Sequence, residues 1–157
     1  MTTTNKQDAG WYPYNLDHHA QALVIKHRDE KDVLIESHKM RMAVAYGLER
    51  FWGEHLRFER EKKEESKNKG KYWRDVWQIL GKILEESDIT LPDADTKVKF
   101  DDTTKIGETS SAIWKMSAET PDDYRIALTV LTQLCDSLVW WTQRYRKKDK
   151  KVKGEED

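Results

Sequence analysis

The stretch from Thr120 to Tyr145 constrains this chain more than any other. It opens Thr120-Pro121-Asp122-Asp123. A threonine can cap a helix start, proline suits the first helical position, and two carboxylates favour the positive end of the helix dipole. It then runs without glycine or proline into Arg144, Arg146, Lys147 and Lys148, cations suited to the negative end. Wound at about 100° per residue, Tyr124, Ala127, Leu128, Leu131, Leu134, Cys135, Leu138, Trp141 and Tyr145 share one arc, which predicts a core-facing helix. The far side carries Ile126, Val130, Gln133, Ser137, Trp140 and Arg144. A helix packed on one side only has no use for Ile126, Val130 and Trp140 there. Either residues 1–14 or another subunit must cover them. Tryptophan beside arginine is the usual interface anchor, so Ile126, Val130, Trp140 and Arg144 form a candidate protein interface.

The same spacing recurs upstream. A helix is predicted over 15–32, with Leu16, Ala20, Leu23 and His27 on one face. A longer one is predicted over about 34–64, with the seam Met40, Val44, Leu48, Phe51, His55 and Phe58. Glu65-Ser66-Lys67-Asn68-Lys69-Gly70-Lys71 reads as a solvated turn. A third helix over 71–87 presents Trp73, Trp77, Leu80 and Leu84. Residues 88–108 break the pattern with Pro92 and many Asp and Thr, and Val98-Lys99-Phe100 is at most a short strand. A short helix around 109–118 carries Ile113, Trp114 and Met116. The expected fold is all-α: a bundle of about five helices over 15–148, with one irregular insertion at 88–108. Residues 1–14 form an N-terminal arm and residues 149–157 a disordered charged tail.

Composition narrows the function classes. Seven Trp, six Tyr and three Phe give 157 residues the material for a core. Lys+Arg number 28 and Asp+Glu 29, so a uniformly basic nucleic-acid binder is excluded while a local basic stripe is not. One cysteine, Cys135, excludes an internal disulfide and a cysteine zinc cluster; on the core arc it reads as a small buried hydrophobe. No apolar run approaches the ~18 residues of a membrane span, and the N-terminus lacks a signal-peptide core. A cytoplasmic location with no membrane partner is expected.

The helix predicted over 34–64 has a second face. Opposite the seam lie Lys39, Ala43, Tyr46, Arg50, Gly53 and Arg57. Cations neutralise phosphates, an aromatic ring stacks on a base, and small residues let a backbone approach. Glu54 and Glu61 flank the stripe and dilute it. Other chemistry is sparse. Five histidines carry no metal-ligand spacing, and His55, lying in the seam, is expected to be a hydrogen-bonded core residue. Glu61, Glu64 and Glu65, followed by Glu85 and Asp88, resemble the acidic helix pairs of all-α nucleotide pyrophosphohydrolases of the MazG type. Those enzymes hold magnesium around a triphosphate. The order here differs, and a solvated charge run accounts for it. No phosphate loop or nucleophile elbow is present, so no catalytic residue, metal or cofactor is expected.

Two segments carry a further resemblance: Ser37-His38-Lys39-Met40-Arg41 at a helix start, and Leu138-Val139-Trp140-Trp141-Thr142-Gln143-Arg144-Tyr145 at a helix end. They resemble the small subunits of type III CRISPR effector complexes, in which an early helix begins Thr-Ser-x-aliphatic-Arg and a late helix ends in an aliphatic-aromatic run. Glu36 stands where that family often has threonine, and Met40 replaces a branched residue. The resemblance implies a non-catalytic bundle present in several copies along a guide-RNA filament. It would steady the guide RNA–target duplex and touch copies of itself and other effector subunits. By motif position it makes Arg41 an RNA contact. The expected nucleic-acid-binding set is therefore Lys39, Arg41, Tyr46, Arg50 and Arg57. The rival readings are a protein-only adaptor and a magnesium-dependent hydrolase.

Overall fold

A computed structural model describes residues 15–147. Among them the chain is all-α, with six helices: α1 Leu16–His27, α2 Glu36–Ala43, α3 Leu48–Glu59, α4 Glu64–Glu85, α5 Thr103–Glu119 and α6 Pro121–Tyr145. The expected arm and nearly all of the expected tail lie outside the described residues.

The hub is α4. Gly70, Tyr72, Trp73, Val76, Trp77, Leu80, Ile83 and Leu84 are all buried along it. It packs antiparallel against α3, where Phe51 meets Trp73 and Trp77 at ring-centroid distances of 4.9 and 6.3 Å. Helix α6 lies across α1, α2 and α5. Trp141 Nε1 donates to Asp17 Oδ1 and the Gln21 amide donates to Tyr145 Oη, both at 3.1 Å, so α1 and α6 run in the same direction. Ser37 joins the two halves. Its Oγ lies 2.6 Å from both Tyr72 Oη on α4 and Thr142 Oγ1 on α6, in a fully buried hydroxyl chain. Beside it, the fully buried Glu36 accepts a 2.8 Å hydrogen bond from Trp73 Nε1. Two adjacent residues of α4 thus hold two adjacent residues of α2; in these pairs the three hydroxyls, the Trp73 indole and Glu36 Oε1 all have partners, which removes the desolvation cost of an unmade bond.

The helix predicted over 34–64 is broken. A single 3₁₀ turn, Val44–Tyr46, leads into Gly47 at φ 95° and ψ 172°. That is glycine territory, and an added Cβ would stand 2.9 Å from Tyr124 Oη. The same hydroxyl accepts the Leu48 amide at 3.2 Å, giving a partner to one of the open donors at the start of α3. The seam survives the break: Met40, Val44, Leu48, Phe51, His55 and Phe58 are all buried. The expected first helix is shorter than predicted, ending at His27 and followed by turns through Asp32 at φ 60°.

The expected turn at 65–71 is instead the start of α4, and the chain reverses at 60–63. Gly70 does not interrupt this helix; it lets α3 approach, since a Cβ there would lie 3.1 Å from Phe58 Cβ. Glu64 and Glu65 occupy the positive end of α4. Helix α5 starts earlier than predicted, at Thr103, where Asp102 accepts the Lys105 amide at 3.1 Å. Thr120 does not cap α6 with its side chain. Its hydroxyl donates to Met116 O at 3.1 Å and closes α5 instead.

Residues 86–102 contain no strand, so Val98-Lys99-Phe100 is irregular. A buried polar knot fixes this segment. Asp93 Oδ2 accepts from Trp52 Nε1 at 3.0 Å and from Arg74 Nη2 at 3.2 Å. Asp93 Oδ1 accepts the Thr96 hydroxyl and the Val98 amide. Burial alone would raise the Asp93 pKa, but Thr96, Trp52 and Arg74 together hold it below the ordinary carboxylate value. His55 is the hydrogen-bonded core residue expected of it. Its Nδ1 donates to Trp52 O at 2.6 Å, and its Nε2 accepts from Arg74 Nη2 at 3.0 Å. That pattern requires the neutral ring. Burial, reinforced by the Arg74 charge, lowers its pKa from 6.5 to about 4.

Two predictions follow from this architecture. Gly47→Ala should cost about 1–3 kcal/mol through backbone strain, read as a lower urea midpoint with an unchanged m-value. The second concerns acid. Between its ordinary and folded pKa values, His55 binds fewer protons in the folded chain than in the unfolded one. Its contribution is complete above pH 6.5 and drains away as pH falls towards about 4. The loss is on the order of 3 kcal/mol. Urea melts between about pH 7 and about pH 4.5 should show this slope in the parent. His55→Gln, which keeps a donor and an acceptor but does not titrate, should flatten it; equal slopes would contradict the assignment.

Candidate nucleic-acid interface

Four of the five residues expected to contact nucleic acid meet in one groove. Lys39, Tyr46, Arg50 and Arg57 line it together with Glu36, Met42, Ala43, Glu54 and Trp73. Its volume is about 360 Å³. Helix α2 supplies one wall and α3 the other, with Trp73 of α4 between them. The 3₁₀ turn at Val44–Tyr46 keeps the stripe in line across the Gly47 break.

The floor is apolar and rigid. Trp73 is wedged between Phe51 and Phe58, at centroid distances of 4.9 and 6.4 Å, and its indole nitrogen is spent on Glu36. The rim is exposed: Tyr46 keeps 70% and Met42 72% of their surface in solvent. The Arg50 guanidinium sits 5.8 Å from the Tyr46 ring centroid, within reach of a cation–π attraction. Gly53 faces open space.

The charge is less one-sided than the stripe suggests. Arg57 donates two hydrogen bonds to Glu54 Oε1, at 3.0 and 2.8 Å, and that contact raises the Arg57 pKa above its ordinary value. Lys39 Nζ is 3.4 Å from Glu36 Oε2. Arg50 has no acidic partner among the described residues. An anion entering the groove therefore meets Arg50 directly, and reaches the other two cations by sharing them with a glutamate. The accessible Arg57–Glu54 pair is of a kind that is weak and exchanges readily, whereas Lys39 is held against a buried carboxylate.

Arg41 is not part of the groove. Its Nε donates to Asp136 Oδ1 at 2.6 Å, so it braces α2 against α6. It stands two positions from both Lys39 and Ala43, about 200° of helical rotation, which sets it nearly opposite the stripe.

The candidate protein interface is only partly assembled. Ile126 and Trp140 are exposed at 40% and 53%, and Arg144 lies over both Trp140 and Trp141, at 5.9 and 5.4 Å from their centroids. Val130 is a correction: it is 3% exposed and belongs to the core. The two-face reading assumed a helix packed from one direction, whereas α6 has α1, α2, α4 and α5 against it. Thr142, a buried residue that periodicity did not mark, is held by Ser37.

The acidic pattern does not form a site. Glu64 and Glu85 are the first and last residues of α4, about 30 Å apart at 1.5 Å per residue, so one magnesium ion cannot bridge them. Among the described residues no group of three or more His, Cys, Asp or Glu is placed to hold a metal ion. His27, a candidate ligand by type, is buried between Glu30 and Asp75 at 2.6 and 2.8 Å. Burial pushes the Cys135 thiol pKa up and keeps it unreactive. No helix among the described residues is long and apolar enough to cross a membrane.

Sequence reasoning missed Glu36, Met42 and Trp73 as groove residues. Glu36 carried one usable signal: it stands three residues before Lys39, where side chains on a helix meet. No known family model, characterised protein or solved structure matches this chain.

Proposed function

We propose that this chain is a non-catalytic helical subunit of a ribonucleoprotein assembly, and that the groove between α2 and α3 holds part of an RNA strand. The observation that carries this reading is the convergence of Lys39, Tyr46, Arg50 and Arg57 on one groove with an apolar floor. Phosphate attraction and base stacking are then available within one nucleotide's reach. The resemblance of residues 37–41 and 138–145 gives the reading its specific form. In it, the chain is a small subunit of a type III CRISPR effector complex that supports the guide RNA–target pairing. Ile126, Trp140 and Arg144 then face a neighbouring subunit or another copy. Arg41 serves as an internal brace rather than an RNA contact.

A protein-only adaptor is the second reading. The exposed Trp140–Arg144 pair favours it, because it needs no nucleic acid to be useful.

Binding of labelled single-stranded RNA, followed across a salt titration, tests the main reading. Three cations in the groove predict a log–log slope of about −2. Arg50→Glu with Arg57→Glu should weaken binding at least ten-fold and flatten that slope by about 1.4, with the melting temperature unchanged. Arg41→Gln should leave RNA affinity intact. Equal affinities for the parent and the double variant would end the groove assignment and promote the adaptor.

A further inference from the structure

Glu36 is an unusual residue to find in a groove built for anions. It is completely buried, and the two oxygens of its carboxylate are treated differently. Oε1 accepts the Trp73 indole at 2.8 Å. Oε2 has no hydrogen-bond partner. Lys39 Nζ at 3.4 Å and Lys69 Nζ at 3.8 Å supply compensating charge only. A buried acceptor left without a donor is costly. Oε1 alone would hold Trp73.

The surroundings specify what donor would fit. Trp73 and Ala43 form an apolar floor beside Glu36, and Tyr46 stands largely exposed at the rim, with the Arg50 guanidinium 5.8 Å from its ring centroid. Arg50 and Arg57 lie further along the same groove. A ligand that satisfies all of these is flat, carries N–H donors on one edge, and has an anionic group beyond. A nucleotide has those three parts. A volume of about 360 Å³ is at the small end for ligand sites, so it admits one unpaired nucleotide and not a duplex.

Among the RNA bases, guanine alone places two neighbouring N–H donors, N1–H and N2–H, on its Watson–Crick edge, with the O6 acceptor beside them. Both donors can converge on the unpaired Glu36 Oε2, which is sealed from solvent in this structure and is reached when the exposed Lys39 ammonium, 3.4 Å away, swings aside to meet O6. Uracil would set two carbonyl oxygens against the same carboxylate. Single-stranded RNA is commonly read in this way, by aromatic stacking and hydrogen bonds to splayed-out bases.

We infer that the α2–α3 groove selects one unpaired guanine, with Glu36 as the base-reading residue, Tyr46 as the stacking residue, and Arg50 and Arg57 as phosphate contacts. This rests on the nucleic-acid reading of the groove and adds a base preference to it.

The test is fluorescence anisotropy with two labelled single strands: a ten-residue oligouridylate, and the same strand with one central guanosine. The parent should bind the guanosine strand about ten-fold more tightly, the order expected of a paired hydrogen-bond contact to a base. Glu36→Gln should lose that preference while keeping its affinity for oligouridylate. Because Glu36 also holds Trp73, a thermal melt accompanies that variant. If it melts early, a strand carrying inosine, which lacks the N2 amine, replaces it: the parent should bind inosine less well than guanosine. Competition by guanosine monophosphate separates the sources. Displacement at concentrations matching the strand points to a free nucleotide, and displacement only at much higher ones points to RNA. Equal binding of the uridine and guanosine strands by the parent would overturn the base preference and leave the RNA reading standing. Binding of neither would overturn both.

Discussion

Tyr72 and Trp73 hold this molecule together at the point where its function is proposed to lie. They are consecutive on α4, so they face different directions. Tyr72 turns to Ser37 and, through it, to Thr142 on α6. Trp73 turns to Glu36 and packs between Phe51 and Phe58 of α3. One pair of residues therefore fixes α2 against α3, α4 and α6 at once. The pairing is polar inside an apolar core, which makes it demanding: shifting α2 by one residue would leave two hydroxyls and a carboxylate buried without partners. The groove between α2 and α3 exists because that register is fixed.

A second polar knot does the same for the irregular segment. Residues 86–102 have no helix of their own, yet Ile89, Leu91 and Val98 reach the core. Asp93 makes this feasible by collecting donors from Trp52, Arg74, Thr96 and Val98. Arg74 in turn reaches His55 and the Val98 carbonyl. A buried pair such as Arg74 and Asp93 adds little net stability over an apolar replacement. It does dictate which loop conformation closes over α3 and α4. The insertion is thus an ordered lid on the core and stands apart from the groove.

The groove presents a surface of mixed charge. Of its cations, Arg57 is engaged by Glu54 and Lys39 by Glu36, so the field is modest. Strong non-specific attraction to polyanions is correspondingly reduced. What remains is local chemistry: an exposed tyrosine ring, a guanidinium that lies over it without an acidic partner among the described residues, and a buried carboxylate oxygen without a donor. On α6, Arg144 lies against Trp140 and Trp141, the latter tied to Asp17. The two surfaces belong to different helices.

The sequence by itself determined the helical class, the faces of the helices and most of the core. Spacing of three and four residues reports which side chains share a face, and that information is local. It placed the seam from Met40 to Phe58, the tryptophans of α4 and the stripe lining the groove, and it recognised His55 as a core residue. It could not place the breaks. Gly47 ends a helix because Tyr124, far along the chain, occupies the space beside it, while Gly70 continues one because Phe58 needs the room. Composition does not distinguish those cases. It also placed Val130 on an outer face, because helical periodicity divides a helix into faces without saying how many neighbours each face will meet. Only the tertiary structure decided that α6 is packed from several sides, that Arg41 pairs with Asp136, and that Glu36 is buried with one oxygen unspent. Each of those depends on contacts between residues distant in sequence, and such contacts leave no local pattern.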